Sequence, residues 1–397
     1  MRIIIVGAGP AGAALACLLA RRGIEVVLIE RETGFERTFR GEALMPGGIE
    51  AIRQMGLGDA FSTLPQRVVE CMELHVEGTR IFRAEGPEFS GPNAVHVVSQ
   101  PALLGMLVSE AARSSGFELR MGTAVVGLEA DRDAVRVRVR HNGHEETISA
   151  DFVIGADGRG SIVRARAGLT LTRHAFPFDV AWFSTPMSGS QQADPRFQAF
   201  VRNGNTVVIY PSWNDSLRVG LNIPPGMGDG TPDRSELLEE IASITGENTG
   251  AFFREQADSI ADPVRLKVLF GRCRNWSAPR VLILGDAAHP MSPVRAQGIN
   301  LAIRDAVIAA NHLVKAAEGG IESLQSAAEA IQLEREPEIL ASQRLQLAGS
   351  RPPPPARSRF LRSTLLPILR RTGVMRRQFL KAEVPLRHGT CKVELSV

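Results

Sequence analysis

The sequence predicts an α/β protein in which a parallel sheet is interrupted by an inserted, mostly antiparallel β-sheet and followed by a C-terminal helical segment. The first 30 residues have the pattern of a strand, a glycine-rich turn, a helix and a second strand, and late in the chain residues 280–284 again form a short apolar strand. Between them, residues 171–263 combine alternating apolar positions, frequent turns and most of the large aromatic side chains, which is typical of antiparallel sheet. The parallel part is therefore expected to be discontinuous along the chain.

Length and composition favour two interleaved globular domains. The chain has 397 residues, which is more than one ordinary hydrophobic core holds. Hydrophobic residues make up 44% of it and charged residues 22%, as in a globular protein. No run approaches the roughly 18 apolar residues of a membrane span, and glycines interrupt the apolar start, which argues against a signal peptide. The four cysteines are scattered without a C-x-x-C pair, so neither a metal site nor a disulfide framework is expected, and the predicted location is cytoplasmic.

The net charge of +3 is unevenly distributed. Residues 351–397 carry 11 basic and 2 acidic side chains, which leaves 35 basic and 41 acidic ones in the preceding 350 residues. A mildly acidic body does not suggest a nucleic-acid binder. Three interpretations of the basic tail stay open: it covers the protein's own surface, it makes a weak peripheral contact with an anionic membrane, or it binds a partner.

Hydrophobic periodicity and turn residues place the individual elements. The predicted helices are residues 13–22, 48–55, 101–115, 233–244 and 298–317. The predicted strands are residues 2–6, 25–30, two short pieces within 69–83, then 118–128, 134–148 with a turn at Asn142-Gly143, 151–156 and 280–284. The resulting domains are 1–70, 95–170 and 268–340 for the parallel-sheet domain, 71–94 and 171–267 for the inserted substrate domain, and 341–397 for the helical, basic tail.

The first turn predicts a dinucleotide site. Gly7 allows the tight bend, Gly9 lets the backbone approach a pyrophosphate, and Gly12 lets helix and strand pack closely. Glu30 ends the second strand, where its carboxylate can accept hydrogen bonds from ribose hydroxyls and would repel a 2′-phosphate.

A second segment, GDAAHPMSPVRAQGIN at residues 285–300, indicates that the dinucleotide is gripped at both ends, as FAD would be. Asp286 ends a strand and can accept from ribityl hydroxyls, and Pro293 shapes the following loop. Gly298, Ile299 and Asn300 open a helix whose N-terminus carries about half a positive charge. Aimed at one edge of the flavin, that charge would stabilise the anionic reduced form.

Other positions are weaker candidates for the same cofactor. Arg40 is interpreted either as a pyrophosphate contact or as a solvated surface arginine, and Gly41 as a point of close approach to the flavin ring. Gln100 is interpreted either as a ribityl contact or as a helix-start residue in solvent, and Asp157 alone favours an Asp-Gly turn. The full set of cofactor-binding candidates is Gly7, Gly9, Ala11, Gly12, Glu30, Arg31, Arg40, Gly41, Gln100, Val125, Asp157, Asp286, Pro293, Gly298, Ile299 and Asn300.

On these motifs the chain resembles the group A flavin monooxygenases of the para-hydroxybenzoate hydroxylase (PHBH) type. The resemblance rests on GAGPAG with Glu30, on ADG at residues 156–158, and on GDAAH…P…QGIN…DA from residue 285 to 306. It implies a Rossmann-like FAD-binding domain of the GR2/PHBH type, and NAD(P)H as a transient reductant without a second nucleotide-binding unit. It also implies that O2 forms a flavin C4a-hydroperoxide, which hydroxylates or epoxidises a small apolar, aromatic substrate.

The chain departs from the family pattern at Arg295-Ala296, where a second glycine-rich step is usual. Arg295 is therefore interpreted as a substrate or reductant contact, or as a surface residue. His289 and Tyr210 are the other catalytic candidates, although a structural role is favoured for His289 and no catalytic base stands out.

The aromatic side chains of the inserted sheet supply the substrate-pocket candidates, Trp182, Phe200, Tyr210 and Trp213. One interpretation has them fill the core between sheet and flavin, and the other has them line a pocket for an apolar substrate. Two alternative functions stay open: an FAD-dependent reductase or dehydrogenase of the prenyl-chain type, and a flavin-binding protein that holds a compound without oxidising it. The oligomeric state is not predicted.

Overall fold

The structure is a computed structural model that describes residues 1–36, 41–131, 134–187, 196–226, 233–350 and 373–397. In chain order the strands are β1 (Arg2–Val6), β2 (Glu25–Ile29), β3 (Ala43–Leu44), β4 (Gln66–Val69), β5 (Cys71–Val76), β6 (Thr79–Glu85), β7 (Val95–Val98), β8 (Phe117–Arg120), β9 (Thr123–Ala130), β10 (Val135–His141), β11 (His144–Ala150), β12 (Phe152–Gly155), β13 (Leu171–Arg173), β14 (Asp179–Pro186), β15 (Arg196–Arg202), β16 (Asn205–Pro211), β17 (Ser216–Ile223), β18 (Val264–Leu266), β19 (Gly271–Cys273), β20 (Ser277–Ala278) and β21 (Val281–Ile283). The helices are α1 (Pro10–Arg21), α2 (Pro46–Gln54), α3 (Gly58–Ser62), α4 (Gln100–Ala111), α5 (Ile162–Arg166), α6 (Arg234–Thr245), α7 (Glu247–Glu255), α8 (Gln297–Ala316), α9 (Gly320–Gly349) and α10 (Val374–His388).

A six-stranded sheet in the order β20-β21-β12-β1-β2-β8 forms the centre of the first domain, and every pairing except β20–β21 is parallel. Its central strand β1 has no exposed surface at Ile3, Ile4 or Ile5, as expected of a strand covered on both faces. Because parallel strands end at the same edge, the residues that follow β1, β2, β12 and β21 come together there. These residues include Gly7, Glu30, Asp157 and Asp286.

A seven-stranded sheet in the order β18-β14-β17-β16-β15-β5-β6 forms the inserted part. Its pairings are antiparallel except for β15–β5, which confirms the mostly antiparallel character predicted from sequence. All seven strands lie within 71–94 and 171–267. Helices α6 and α7 cover one face, where they bury a cluster that includes Phe183, Val219, Ile241 and Phe253. The opposite face is left to line a cavity.

The C-terminal part differs from the sequence-based division. The predicted boundary between residues 340 and 341 falls inside α9, a continuous helix of 30 residues. The predicted linker and most of the basic segment lie outside the described residues. After α10, the chain returns over α2 and α8, where the Gln54 side chain donates to the carbonyl of Val393 (3.3 Å) and the Ser396 amide donates to Asn311 (2.8 Å). In the described ranges no helix is both long and apolar enough to cross a membrane.

Candidate cofactor and substrate site

The glycine turn between β1 and α1 presents bare backbone to the cavity. Gly7 has a φ of 98°, and a Cβ there would lie 2.5 Å from the carbonyl oxygen of Ala156. A Cβ on Gly12 would lie 1.9 Å from the carbonyl oxygen of Gly7, so only glycine lets the helix start this close to the turn. A Cβ on Gly9, the N-cap of α1, would meet no atom of the described residues within 4 Å. The turn therefore leaves open the space in front of a helix N-terminus, where anions bind well.

Glu30 stands directly after β2 at the cavity wall. Its side chain is almost fully buried, and its two oxygens accept hydrogen bonds from the amides of Ala8 (2.9 Å) and Glu32 (3.1 Å). These bonds hold the carboxylate at the strand end, with Arg31 beside it in the same wall. The ribose contact remains a prediction.

The segment after β21 forms another part of the cavity wall. Asp286, Pro293, Gly298 and Ile299 all line it. The Asp286 Oδ1 lies 4.0 Å from the position that a Cβ on Gly298 would take, so the carboxylate stands close to the first turn of α8. An acceptor and a positive helix end therefore lie together, which suits a polar chain and a ring that becomes negative.

Asn300 does not line the cavity and has a supporting position instead. Its amide oxygen accepts from the Met45 amide (2.8 Å), and its amide nitrogen donates to the carbonyls of Ala43 (3.2 Å) and Ala296 (2.6 Å). It thus fastens the segment after Gly41 to the start of α8.

Asp157 organises the loop after β12. It accepts from the Ser161 hydroxyl (2.5 Å) and from the amides of Ile162 (2.7 Å) and Val163 (3.1 Å), and so stabilises the start of α5. Burial raises the pKa of Asp157, and the hydrogen bonds oppose that rise. Asp157 also lines the cavity, so the structure combines the turn interpretation with a place in the site.

The glycine turn and the segment after β21 line one cavity of about 1380 Å³. Arg40 lies outside the described residues, and Gly12 and Asn300 lie behind the wall. The Gln100 side chain donates a hydrogen bond to the carbonyl of Gly41 (3.2 Å), so the two residues are linked within the cavity wall. The other cofactor candidates line the cavity: Gly7, Gly9, Ala11, Glu30, Arg31, Gly41, Gln100, Val125, Asp157, Asp286, Pro293, Gly298 and Ile299. Since the open space before Gly9 and the acceptor beside α8 line the same cavity, these residues fit FAD.

The seven-stranded sheet closes the other side of the cavity with aromatic side chains. Trp182 and Tyr210 line it, and their rings meet edge to face at 6.0 Å, while Phe197 stacks on Tyr210 at 5.6 Å. Gly220 leaves room for the Trp182 indole, because a Cβ at position 220 would lie 3.2 Å from that ring. Burial and the nearby Glu42 raise the pKa of the Tyr210 phenol above its ordinary value, so it is a hydrogen-bond donor at neutral pH.

The other two substrate-pocket candidates lie elsewhere. Successive side chains of a strand point to opposite faces, and on β15 it is Phe197 and Ala199 that line the cavity. Phe200 faces the opposite side, in the cluster under α6, and stacks on His75 at 4.7 Å. Trp213 follows β16 and does not line the cavity. The alternating apolar pattern predicts an antiparallel sheet but does not indicate which face of it lines the cavity.

An ion pair for which the sequence held no signal joins the segment after Gly41 to the seven-stranded sheet at the cavity wall. Arg218 on β17 makes two hydrogen bonds to Glu42, at 2.7 and 3.0 Å, and the Ser212 hydroxyl donates to the same carboxylate at 3.0 Å. Both charged residues line the cavity. A two-point contact of this kind fixes orientation, so it ties the segment after Gly41 to the inserted sheet.

His289 belongs to a buried charge network behind the site and does not line the cavity. Its Nε2 lies 2.7 Å from the Asp305 carboxylate, which also accepts from Arg335 at 2.7 Å. Glu338 pairs with Arg335 and with Arg304 (2.7 Å). Burial acts to raise the pKa values of Asp305 and Glu338, but the adjacent cations hold both below their ordinary values. This arrangement gives His289 a structural position.

Arg295 lies in the cavity wall in a strained backbone conformation. Arg295 (φ 60°) and Ala296 (φ 50°) are consecutive left-handed residues directly before α8. The Nε of Arg295 lies 3.1 Å from a carboxylate oxygen of Glu383 on α10. Phe379, Glu383 and Arg387 of that helix also line the cavity. No local sequence pattern indicates this contact, because the two residues are 88 positions apart.

Comparisons with known proteins place these features in context. Residues 1–335 match the family described as "FAD binding domain". The 6-methylpretetramide 4-monooxygenase of Streptomyces rimosus is 32% identical over 312 residues, which cover 77% of this chain and 73% of that protein. The dialkyldecalin synthase of Streptomyces rugosporus is 25% identical over 318 residues, 77% of this chain but only 63% of that protein.

Among solved structures, P. aeruginosa PqsL in complex with 2-aminobenzoylacetate has a TM-score of 0.76 with 23% identity, over 88% of this chain and 95% of that chain. At this level of identity the likeness concerns the fold.

Proposed function

Since the chain belongs to the FAD-binding-domain family and is an FAD-dependent monooxygenase, we propose that it hydroxylates or epoxidises an apolar aromatic compound, with NAD(P)H as the reductant and O2 as the oxygen donor. The observation that carries the proposal is the single cavity that joins the FAD-fitting residues to the aromatic face of the seven-stranded sheet. A volume of about 1380 Å³ exceeds the roughly 300–1,000 Å³ of one ordinary ligand site, which leaves room for cofactor and substrate together.

The bound flavin supplies hydride acceptance and oxygen activation. Gly9 and the first turn of α1 would hold its pyrophosphate, Glu30 its ribose, and Asp286 its ribityl chain. Trp182, Phe197 and Tyr210 would hold an aromatic substrate and exclude water, and the Tyr210 hydroxyl would donate a hydrogen bond to it. Within the described residues that hydroxyl has no protein partner, so it is available to a ligand.

The reductant, the location and the tail complete the proposal. The sequence contains no second G-x-G-x-x-G unit, which supports the proposal that NAD(P)H binds only transiently, without a nucleotide-binding domain of its own. The cytoplasm, which supplies reduced nicotinamides, is the proposed location. A weak membrane contact through the basic tail stays a prediction, and one of its described arginines, Arg376, already faces Glu88 at 3.3 Å.

Isotope labelling tests the reaction class. Purified holoenzyme is mixed with NADH or NADPH, ¹⁸O₂ and a panel of hydroxylated naphthalenes and anthracenes, and the products are analysed by mass spectrometry. We expect one ¹⁸O atom per product molecule and nicotinamide consumption that depends on substrate. A product that gains hydrogen but no oxygen would support the reductase alternative. Conversion without nicotinamide consumption would support the non-oxidising one, which the relationship to a synthase makes worth testing.

A further inference from the structure

One face of α10 contributes a carboxylate to the cavity. Phe379, Glu383 and Arg387 are spaced four residues apart, so they share one side of the helix, and all three line the cavity. Both neighbours of Glu383 are anchored, since the ring of Phe379 packs on Phe82 at 4.6 Å and the guanidinium of Arg387 lies 4.1 Å over the ring of Phe89. The position of Glu383 against the cavity is therefore fixed by packing on both sides.

The Glu383 carboxylate has an unused acceptor. The residue is 6% exposed, and its Oε1 is buried without a hydrogen bond from any described residue. The Nε of Arg295 lies 3.1 Å from that oxygen as a charge contact, but its N–H is not aligned for a hydrogen bond. Buried polar atoms without a partner are rare in folded proteins, so a donor supplied by a ligand would complete this site.

The charges around Glu383 are few. Among the described residues, Arg295 before α8 and Arg387 on the same helix are the charged groups that act on it, and α2, β6 and α9, which pack against α10, add none. Arg387 also donates to the carbonyl of Glu88 (2.5 Å). Burial raises the pKa of Glu383 above its ordinary value, although both arginines oppose that rise.

Two other described groups that line the cavity at the seven-stranded sheet, the carboxylate of Glu42 and the phenol of Tyr210, are poorly suited to act as a base. Glu42 is held by Arg218 and Ser212, and Tyr210 stays protonated. A base accepts a proton more easily when its pKa approaches that of the donor, and phenols have pKa values near about 10. The raised pKa of Glu383 moves it in that direction.

We propose that Glu383 is the base of this site and accepts the hydroxyl proton of a phenolic substrate. The substrate O–H bond breaks, its electron pair stays on the phenolate oxygen, and the proton moves to Oε1 of Glu383, from which it returns to solvent after product release. The phenolate makes the ring more electron-rich and so more reactive toward an electrophilic oxygen. The inference rests on the proposed function and narrows its substrates to phenols and hydroxylated fused rings.

The first test measures binding and needs no turnover. Holoenzyme is titrated with 2-naphthol and with naphthalene, and quenching of tryptophan fluorescence reports each Kd. The wild type is expected to prefer 2-naphthol by at least about tenfold, as a hydrogen bond to a charged group allows. In Glu383→Gln this preference should shrink, and in Glu383→Asp, which keeps the carboxylate, it should largely return. An equal preference in all three proteins would overturn the proposal.

The second test measures kcat for 2-naphthol and for its more acidic 6-cyano derivative. Loss of a general base costs about 10²–10⁴-fold in rate, so Glu383→Gln should lose at least about 100-fold with 2-naphthol and much less with the derivative, which ionises by itself. The wild-type rate should rise with pH through the pKa of Glu383, and this limb should vanish in Glu383→Gln. Equal losses with both naphthols and an unchanged pH profile would mean a purely structural role.

Two controls separate the possible failures. Glu322→Gln, an exposed carboxylate at the start of α9, should behave as wild type, and thermal unfolding of each variant shows whether the fold is kept. A binding preference that depends on Glu383, combined with no labelled oxygen in any product, would overturn the proposed function and leave the hydroxyl contact standing.

Discussion

Replacing Arg335 with methionine is expected to lower the free energy of unfolding by about 3–5 kcal/mol, the usual cost of leaving a buried charge without its partner. The Arg335 side chain is 1% exposed and bridges Asp305 and Glu338, which are themselves fully buried. Methionine fills much of the same volume but leaves two carboxylates facing each other with less compensation. Urea unfolding of wild type and variant at equal FAD concentration measures the difference.

Arg344→Met is the matched control, because Arg344 lies on the same helix α9 and is exposed. It should change the unfolding free energy by no more than about 0.5 kcal/mol.

The effect of Arg335→Met should also depend on pH. The folded-state pKa values of Asp305 and Glu338 are depressed, so the network stabilises the fold above the unfolded carboxylate pKa of about 4. That contribution is lost as the pH falls through the folded values, and the two proteins should then converge. A difference that does not change with pH would contradict this account.

Gly9→Ala is expected to remove FAD while leaving the fold intact. The φ of Gly9 is −73°, which alanine adopts freely, and the added Cβ would meet nothing within 4 Å in the described part of the chain. The methyl group would instead occupy the space in which the pyrophosphate is predicted to lie. The purified variant should lose most of its flavin absorbance near 450 nm, with an FAD Kd raised at least about tenfold, or 1.4 kcal/mol, and an unchanged unfolding transition of the apoprotein.

Two further glycines calibrate this result. Gly12→Ala should also destabilise the apoprotein, by about 1–3 kcal/mol or more, because its Cβ would lie 1.9 Å from the backbone oxygen of Gly7. The Cβ that Gly105→Ala adds on α4 would meet none of the described residues within 4 Å, so this variant should keep both FAD and stability. If Gly9→Ala stays fully yellow, the pyrophosphate does not lie against Gly9.

Much of the parallel-sheet domain could be predicted from the sequence because its signals are local. Gly7, Glu30 and Asp286 each follow a short apolar strand, and parallel strands bring such positions to one edge without further information. The turn at Asn142-Gly143 was predicted equally well, and both residues have the positive φ that a two-residue hairpin needs.

What could not be predicted depends on long-range packing. Phe200 and Phe197 lie on the same strand, and only the helices packed behind the sheet decide which of them faces the cavity. The sequence pattern does not predict helix α9, because Pro337 within it argues against a continuous helix by composition alone. Glu383 lies in a basic stretch that looks like a surface tail, and its burial exists only because α10 folds back onto the cavity.

The left-handed backbone at Arg295 and Ala296 restricts which residues can be substituted at positions 295 and 383. A non-glycine residue in that conformation costs roughly 1–2 kcal/mol, yet Arg295 keeps it and places its guanidinium beside Glu383. A glycine at 295 would relieve the strain and remove the cation, and a carboxylate at 383 would then be buried with one neighbouring arginine fewer. A substitution at either position therefore changes the requirement at the other. Among relatives that share α10, the residues at positions 295 and 383 are expected to co-vary.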